Sequence, residues 1–303
     1  MSPQQDWAHV GCKVNLGLRI TGRRDDGYHL LDSLFWPLPE PHDRMTFALR
    51  PEPGVHLLTD ADLPAENTVT RAHAAYVAAH GQKFDRADGV PGLSVHLEKG
   101  IPSGAGLGGG SADAACLLAW LNAHVAQPLT AQELASVALR VGADCPFFLQ
   151  DRPCRVQGIG DVLTPLATAV SRRELLLVCP DVHVDTPWAY RQYDAMHDAA
   201  QDTPGMQKAG ALTKSAQAAT NPTSFPADAP LVNDLEPPVF AGFPQLAAIK
   251  TQLLELGAQT ACMSGSGASM LGLFAPGTAQ HAADALAGQG LRVFTMPLEY
   301  AGM

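Results

Sequence analysis

The residues with the clearest chemical meaning lie in one segment, Lys99 to Asp113, which contains six glycines, at positions 100, 104, 106, 108, 109 and 110. A backbone that curls around an anion has no room for side chains and often needs a positive φ, and glycine meets both conditions. The apolar spacing that follows predicts a helix over 111–126 with Ser111 as its N-cap. Its first N–H groups would face a bound phosphate. A flexible connection is the alternative, but six glycines before a capped helix favour a phosphate loop.

A strand near the start of the chain carries an ammonium group that could serve such a loop. Apolar residues alternate with more polar ones from Val10 to Ile20, which is typical of a half-buried strand. Lys13, Asn15 and Arg19 therefore share its other face. A lysine there can neutralise phosphate charge, although without further context it would be a solvated side chain.

A carboxylate lies at a second junction. Thr130 and Glu133 form a capping-box pattern, which predicts a helix that stops at Gly142. Asp144 follows in a constrained connection before Pro146. A carboxylate within hydrogen-bond distance of a hydroxyl can accept its proton or orient it for attack on a phosphate, and a nearby ammonium would keep that carboxylate ionised. An isolated aspartate after a helix is otherwise a turn residue.

Two familiar phosphate loops fit the glycine-rich segment poorly. The spacing Gly-x-Gly-x-x-Gly from Gly104 matches the dinucleotide fingerprint, but residues 100–103 intervene after the strand. No acidic residue ends a second strand about 20 positions further on, as that fingerprint requires. The Walker pattern fails because Gly and Ser, and not Lys and Ser or Thr, follow Gly109.

Length and composition exclude several protein classes. The 303 residues allow one large domain or two ordinary ones. A formal net charge of −10 excludes a broad basic field for nucleic acid or anionic lipid. The six cysteines show no C-x-x-C spacing, and the start of the chain has no signal-peptide pattern. We therefore expect reduced thiols in a soluble cytoplasmic protein, with no membrane, nucleic-acid or obligate protein partner.

The periodicity of the remaining chain predicts two halves. It lapses around 165–173, so we predict an N-terminal domain over 1–169 and a C-terminal domain over 170–303. Residues 198–230 show no clear periodicity and are expected to form a surface insertion with some helix. The other expected elements are strands at 28–38, 93–97, 174–178 and 291–296, helices at 69–79, 130–141, 243–256 and 278–286, and two short strands flanking 264–267.

The glycine-rich loop also resembles the motif of a kinase superfamily. Pro102 to Ala112 is similar throughout to the phosphate motif of the superfamily named for galactokinase, homoserine kinase, mevalonate kinase and phosphomevalonate kinase (GHMP). Within it, nearly the whole chain resembles the 4-diphosphocytidyl-2-C-methyl-D-erythritol kinases of the methylerythritol phosphate route to isoprenoids. The element from Gly27 to His29 is the most discriminating, since the general superfamily lacks it. The other matching segments are Lys13–Leu16, Ile101–Ala115, Gly142–Phe148, Asn233–Glu236 and Ser264–Ala268.

This resemblance implies a two-domain α+β fold. It implies an N-terminal ribosomal-protein-S5-domain-2-like nucleotide domain and a C-terminal ferredoxin-like α/β sandwich. Two departures from the family pattern are Cys12, where the family usually has Ala, and the long 198–230 connection.

The resemblance also implies an activity, the transfer of the ATP γ-phosphate to the 2-hydroxyl of a cytidine-diphosphate-linked erythritol. Lys13 and Asp144 match the family's catalytic pair. The candidate substrate-binding residues are Asn15, Tyr28, His29, Thr186 and Tyr190, with Trp188 as the alternative to Tyr190. The candidate ATP-binding residues are Asn67, Lys99, Pro102, Ser103, Gly104, Ala105, Gly106, Leu107, Gly108, Gly109, Gly110, Ser111 and Ala112.

Mg²⁺ is expected to bridge the phosphates, with Ser111 as a candidate oxygen donor and no carboxylate assigned. Asn67 has a second interpretation, as the N-cap of the helix at 69–79. Three other functions stay open: a homoserine or mevalonate kinase, a nucleotide-binding regulator without catalysis, and a nicotinamide-dependent oxidoreductase.

Overall fold

Two β-sheets organise the part of the chain that the computed structural model describes, residues 6–84, 89–166, 169–201 and 231–300. The first half contains β1 (Asp6–Arg23), β2 (His29–Arg50), β3 (Val55–Thr59), α1 (Thr68–Phe84), β4 (Gly92–Glu98), α2 (Gly109–His124), α3 (Ala131–Val141), α4 (Cys145–Gln150), β5 (Cys154–Gly158) and β6 (Val162–Pro165). The second half contains β7 (Ala169–Cys179), α5 (Thr186–Gln201), α6 (Glu236–Gly242), α7 (Pro244–Glu255), β8 (Thr260–Met263), β9 (Met270–Phe274), α8 (Gln280–Ala287) and β10 (Arg292–Tyr300). The strands and helices expected from periodicity are confirmed, several with longer bounds.

The first sheet packs one face on helices and thereby anchors the glycine-rich loop. Its strand order is β3-β4-β2-β5-β6, and β1 pairs with β2 in an antiparallel hairpin. Apolar residues of β2 and β4, among them Phe47 and Leu97, are buried in one core with residues of α1 and α2. Because the loop connects β4 to α2, both of its ends are held by buried elements.

The second sheet is antiparallel, with the order β10-β7-β9-β8. One core joins the two sheets, since Val14 and Trp36 of the first sheet are buried together with Leu177 and Leu271 of the second. This shared core holds the two sheets beside each other. Residues from both halves line the cleft next to it. The first sheet ends at Pro165, but the domain boundary at residue 170 stays a prediction.

The expectation that β1 is half-buried is wrong at its centre, where both faces are buried from Cys12 to Leu16. Cys12 and Val14 pack in the core between the sheets, whereas Lys13 and Asn15 line the cleft. The alternation of apolar and polar residues is therefore real, but the polar face contacts protein groups instead of bulk water.

Ser111 is not an N-cap, so this expectation is also wrong. Helix α2 begins at Gly109, and its N-cap is Gly108, whose φ of 72° is left-handed. The Gly108 carbonyl accepts hydrogen bonds from the N–H groups of Ser111 and Ala112, at 3.0 and 2.9 Å. Ser111 therefore lies in the first turn. The capping box of Thr130 and Glu133 is confirmed at the start of α3.

The expected connection around Asp144 is shorter than predicted, because α4 already begins at Cys145, with Asp144 at its N-cap position and a proline in the first turn. The expected insertion is described only up to Gln201, where α5 ends, and residues 202–230 lie outside the described part. Among the described helices, none is long and apolar enough to cross a membrane.

The buried histidine of α1 makes a pH-dependent contribution to stability. His73 is buried, and its Nε2 has no hydrogen-bond partner in the described part of the chain. Burial lowers the pKa of His73 in the folded state. The folded state therefore favours neutral His73, and this stabilisation is present above the unfolded pKa of about 6.5 and is lost as the pH falls below it.

The free energy of unfolding of the wild type should fall between about pH 7.5 and about pH 5.5, because His73 takes up a proton when the chain unfolds. We predict that this fall is smaller in His73→Leu, which lacks that group. Urea unfolding at both pH values measures this difference. His56→Leu, at an exposed position of β3, is the matched control and should keep the wild-type difference. An equal pH dependence in all three proteins would contradict the assignment.

Candidate active site

A cavity of about 390 Å³ brings the glycine-rich loop together with β1, α5 and the β8–β9 loop. It is lined by both candidate catalytic residues, Lys13 and Asp144, and by three candidate substrate residues, Asn15, Thr186 and Tyr190. Of the candidate ATP-binding residues, Asn67, Lys99, Pro102, Ser103, Gly104, Ala105, Gly106, Leu107, Gly108, Gly109, Gly110 and Ser111 line the cavity.

Three candidate residues lie outside this lining. Ala112 is buried in the core of the first sheet, so its side chain faces away from the cavity. Tyr28 is exposed, and His29 lies beyond the cavity beside α5. None of the three lines this cavity, and their assignments as ligand contacts stay predictions.

Lys13 is the buried cation of the cleft. Its Nζ donates a 2.6 Å hydrogen bond to Asn15 Oδ1 and lies 3.4 Å from Asp144 Oδ2. Nζ also lies 4.5 Å from the centre of the Phe35 ring, a distance typical of a cation–π contact. A buried ammonium is stable only when it is paired and hydrogen-bonded. The spacing of Lys13 and Asn15 on one strand face supplies one partner, and the folded chain brings Asp144 as the other.

The glycines of the loop are required by backbone conformation and by close packing. Gly104, Gly106 and Gly108 all have left-handed φ values, at 65°, 73° and 72°. A Cβ on Gly106 would lie 2.1 Å from the carbonyl oxygen of Ser264, which no side chain can tolerate. The loop therefore adopts this path only with glycine at these positions.

The β8–β9 loop fixes the glycine-rich loop against β1. Ser264 Oγ accepts a 3.1 Å hydrogen bond from the Asn15 N–H and donates a 3.0 Å hydrogen bond to the Gly106 carbonyl. The Ser269 N–H donates to the Ala105 carbonyl at 3.1 Å. Ser264 thus links the strand that carries Lys13 to the glycine-rich loop.

The segment Asn233–Glu236 holds the β8–β9 loop from behind. Asn233 Nδ2 donates to the carbonyls of Met263 and Gly265, at 2.8 and 2.7 Å. Glu236 Oε1 accepts from the Met263 N–H at 2.8 Å. The sequence motif from Asn233 to Glu236 therefore positions a second loop, a role that its residue types did not reveal.

Lys99 lies between two carboxylates beneath the glycine-rich loop. Its Nζ pairs with Asp43 and lies 2.9 Å from Asp113 Oδ2. Asp43 also accepts the N–H groups of Gly100 and Ile101, at 2.7 and 2.8 Å. Burial raises the pKa of Asp113 to about 7, and the Lys99 ammonium opposes this rise. Sequence analysis did not identify Asp43, because a residue inside a strand gives no indication that it contacts the glycine-rich loop.

Two candidate substrate residues, His29 and Tyr190, form an aromatic group with Tyr193 of α5. The rings of His29 and Tyr190 stack with centroids 4.8 Å apart, and Tyr193 meets His29 edge-on at 6.1 Å. Burial, together with the nearby Asp144 carboxylate, raises the pKa of Tyr190, so its hydroxyl stays protonated. Trp188 packs instead on Phe243, which favours Tyr190 as the aromatic residue of the site.

Two further candidates have hydrogen bonds within the protein. Asn67 Oδ1 accepts the N–H groups of Val69 and Thr70, at 3.0 and 3.1 Å, so its role as the cap of α1 is confirmed. Thr186 Oγ1 lies 2.7 Å from Ser266 Oγ, which ties α5 to the β8–β9 loop. Both side chains also line the cavity.

Comparison with known proteins identifies the family. The model of the GHMP kinases N terminal domain matches residues 67–152, and that of the GHMP kinases C terminal domain matches residues 218–291. A protein of Nitratidesulfovibrio vulgaris named 4-diphosphocytidyl-2-C-methyl-D-erythritol kinase is 46% identical over 288 residues, which cover 94% of this chain and 96% of that protein. This chain belongs to the 4-diphosphocytidyl-2-C-methyl-D-erythritol kinase family. The resemblance seen in the sequence is therefore confirmed.

Other members and solved structures agree with this assignment. A relative of the same name from Lawsonia intracellularis is 38% identical over 272 residues, covering 88% of this chain and 87% of that protein. A crystal structure of 4-(cytidine 5'-diphospho)-2C-methyl-D-erythritol kinase matches with a TM-score of 0.72 and 34% identity, over 96% of this chain and 98% of that chain. A homoserine kinase from Cytophaga hutchinsonii shares the fold, with a TM-score of 0.64 at 15% identity, over 98% of this chain and 95% of that chain.

We predict that Gly106→Ala weakens ATP binding at least about tenfold. It should also lower the free energy of unfolding by more than the cost of placing alanine at a positive φ, because the new Cβ meets the Ser264 carbonyl. Gly277→Ala is the matched control, because Gly277 has a φ of 75° with no atom within 4 Å of a new Cβ. The control should lose only about 1–2 kcal/mol. Thermal unfolding and ATP titration measure both effects. Equal stability of the two variants, with unchanged ATP binding, would refute the close approach to Ser264.

Proposed function

We propose that this chain transfers the γ-phosphate of ATP to the 2-hydroxyl of 4-diphosphocytidyl-2-C-methyl-D-erythritol, giving the 2-phosphate and ADP. The observation that carries this proposal is the 3.4 Å approach of Lys13 Nζ to Asp144 Oδ2 in the cavity lined by the glycine-rich loop. Membership of the family supports the choice of substrate, since the relatives' names specify it. The reaction belongs to the methylerythritol phosphate route to isoprenoids.

Asp144 and Lys13 divide the work at the acceptor hydroxyl. As the hydroxyl oxygen attacks the γ-phosphorus, the bond to the β–γ bridging oxygen breaks and ADP leaves. Asp144, with a side chain 30% exposed, can accept the hydroxyl proton or orient the group. The Lys13 ammonium stabilises negative charge on the transferred phosphoryl oxygens.

The loop holds the rest of the triphosphate. Its backbone N–H groups and the N-terminus of α2 supply fixed partial positive charge where phosphate charge accumulates. No group of three or more metal-binding side chains occurs in the described ranges, so a dedicated protein cage for a metal is absent there. Ser111 and Asp144, whose hard oxygens line the cavity, are the residues that would hold Mg²⁺ there. When bound, the ion neutralises charge shared by the phosphates.

The aromatic residues near α5 distinguish the proposed function from that of a homoserine or mevalonate kinase. His29, Tyr190 and Tyr193 form an aromatic group suited to a planar base, which a homoserine or mevalonate substrate does not contain. The paired Lys13 and Asp144 argue against a regulator without catalysis. The reaction is expected in the cytoplasm, in accord with the absence of disulfides among the six cysteines.

We predict that Asp144→Asn lowers turnover at least about a hundredfold while ATP still binds, because the amide cannot accept the hydroxyl proton. A coupled ADP-release assay with ATP, Mg²⁺ and the cytidyl erythritol substrate measures turnover, and calorimetric titration measures ATP binding.

Asp284→Asn is the matched control for this experiment, since Asp284 lies on α8 and its carboxylate accepts a 2.8 Å hydrogen bond from the exposed Gln280. It should keep wild-type turnover. If Asp144→Asn also keeps it, Asp144 has no catalytic role. If the wild-type protein fails to phosphorylate the cytidyl substrate but accepts homoserine or mevalonate, the proposed substrate is wrong.

A further inference from the structure

The tip of the glycine-rich loop, residues 102–104, lies between two buried anchors. Ile101 and Ala105 are buried in the core that joins the two sheets, whereas Ser103 is exposed. The hydrogen bonds from the β8–β9 loop reach the glycine-rich loop only from Ala105 onward. Gly104 lines the cavity, so a further contact is needed to hold the tip in one position there.

His183, in the connection between β7 and α5, makes that contact. A Cβ on Gly104 would lie 2.0 Å from His183 Nδ1 and 2.2 Å from His183 Cε1, so the imidazole fills the space that a side chain at Gly104 would need. The ring therefore packs directly on the Gly104 backbone, whose φ of 65° is a conformation that glycine permits. The imidazole is not among the side chains that line the cavity. It supports the loop from outside the cavity.

The position of His183 is set by its two apolar neighbours. Val184 is buried in the core of the second half, and Val182 packs against the same core. His183, between them, is exposed and contacts the loop instead of that core. The second half of the chain thus fixes a ring that touches a loop of the first half.

We infer that His183 is a positioning residue for nucleotide binding, which holds the tip of the glycine-rich loop in place beside the cavity. This inference rests on the proposed function, since it takes the cavity as the nucleotide site. His183 acts through Gly104 and is not itself placed against ATP. A loop that is already ordered loses less conformational entropy when a ligand binds. The contact should therefore raise the affinity for ATP and leave the chemical step unchanged.

His183→Ala tests the inference through a split between KM and kcat. The KM for ATP and the calorimetric dissociation constant should each rise at least about fivefold, because the unsupported tip must be ordered on binding. At saturating ATP, kcat should stay within about twofold of the wild-type value, since Lys13 and Asp144 are unchanged.

His281→Ala is the matched control, because His281 is an exposed histidine of α8, in the same half of the chain. It should bind ATP like the wild type. Equal thermal stability of the two histidine variants would show that both fold.

A double-mutant cycle with Gly104→Ala separates the contact from a general loss of structure. The new Cβ would displace the imidazole, so Gly104→Ala loses the contact with His183 and also places alanine at a φ of 65°. In the His183→Ala background the contact is already absent. There the same change should weaken ATP binding by a factor at least about fivefold smaller than in the wild-type background. Equal factors in the two backgrounds would contradict the inference.

The NMR signals of Gly104 report the contact without any ligand. An aromatic ring packed on a backbone shifts the resonances of the adjacent protons. The Gly104 signals should therefore move in His183→Ala and stay in place in His281→Ala.

An unchanged ATP affinity in His183→Ala would overturn the inference, as would Gly104 signals that do not move or a loss confined to kcat. A wild-type protein that binds ATP but does not phosphorylate the cytidyl substrate would instead overturn the proposed function. The role of His183 would survive that result, because ATP affinity and the Gly104 signals are measured without an acceptor.

Discussion

The cleft depends on the close approach of three backbone segments, β1, the glycine-rich loop and the β8–β9 loop. The Lys13 N–H donates to the Leu107 carbonyl at 3.0 Å, and Ser264 joins Gly106 to the strand that carries Asn15. The glycine-rich loop and β1 belong to the first sheet's half of the chain, whereas Ser264 belongs to the second. The cleft therefore exists only when both sheets are folded and packed on their shared core.

The two lysines of the cleft, Lys13 and Lys99, each have their own carboxylate partners. Lys13 is buried beside Asn15 and Asp144 and is the cation on the β1 side of the cleft. Beneath the loop, Lys99 is held by Asp43 and a second carboxylate, which anchors the loop's first residues. Removing one member of such a buried group leaves an uncompensated charge, so these residues stabilise the site as a unit.

Local signals in the sequence were sufficient for the glycine-rich loop, the strand of Lys13 and the capped helix before Asp144. Each depends on residues that are close in the chain, such as the positive φ that glycine permits or the reciprocal bonds of Thr130 and Glu133. Where local signals competed, the sequence was misleading. Ser111 has the chemistry of an N-cap, but Gly108 accepts the first helical hydrogen bonds and starts the helix earlier.

The sequence by itself determined the fold class, the family and many of the residues that line the cavity, because their types and spacing are local properties. Only the tertiary structure revealed Asp43 as the partner of Lys99, and Ser264 as the link between Gly106 and Asn15. Ser264 lies 158 positions from Gly106 along the chain and 249 positions from Asn15. Partnerships over such separations arise from packing of the two sheets, and no periodicity or spacing in one segment encodes them.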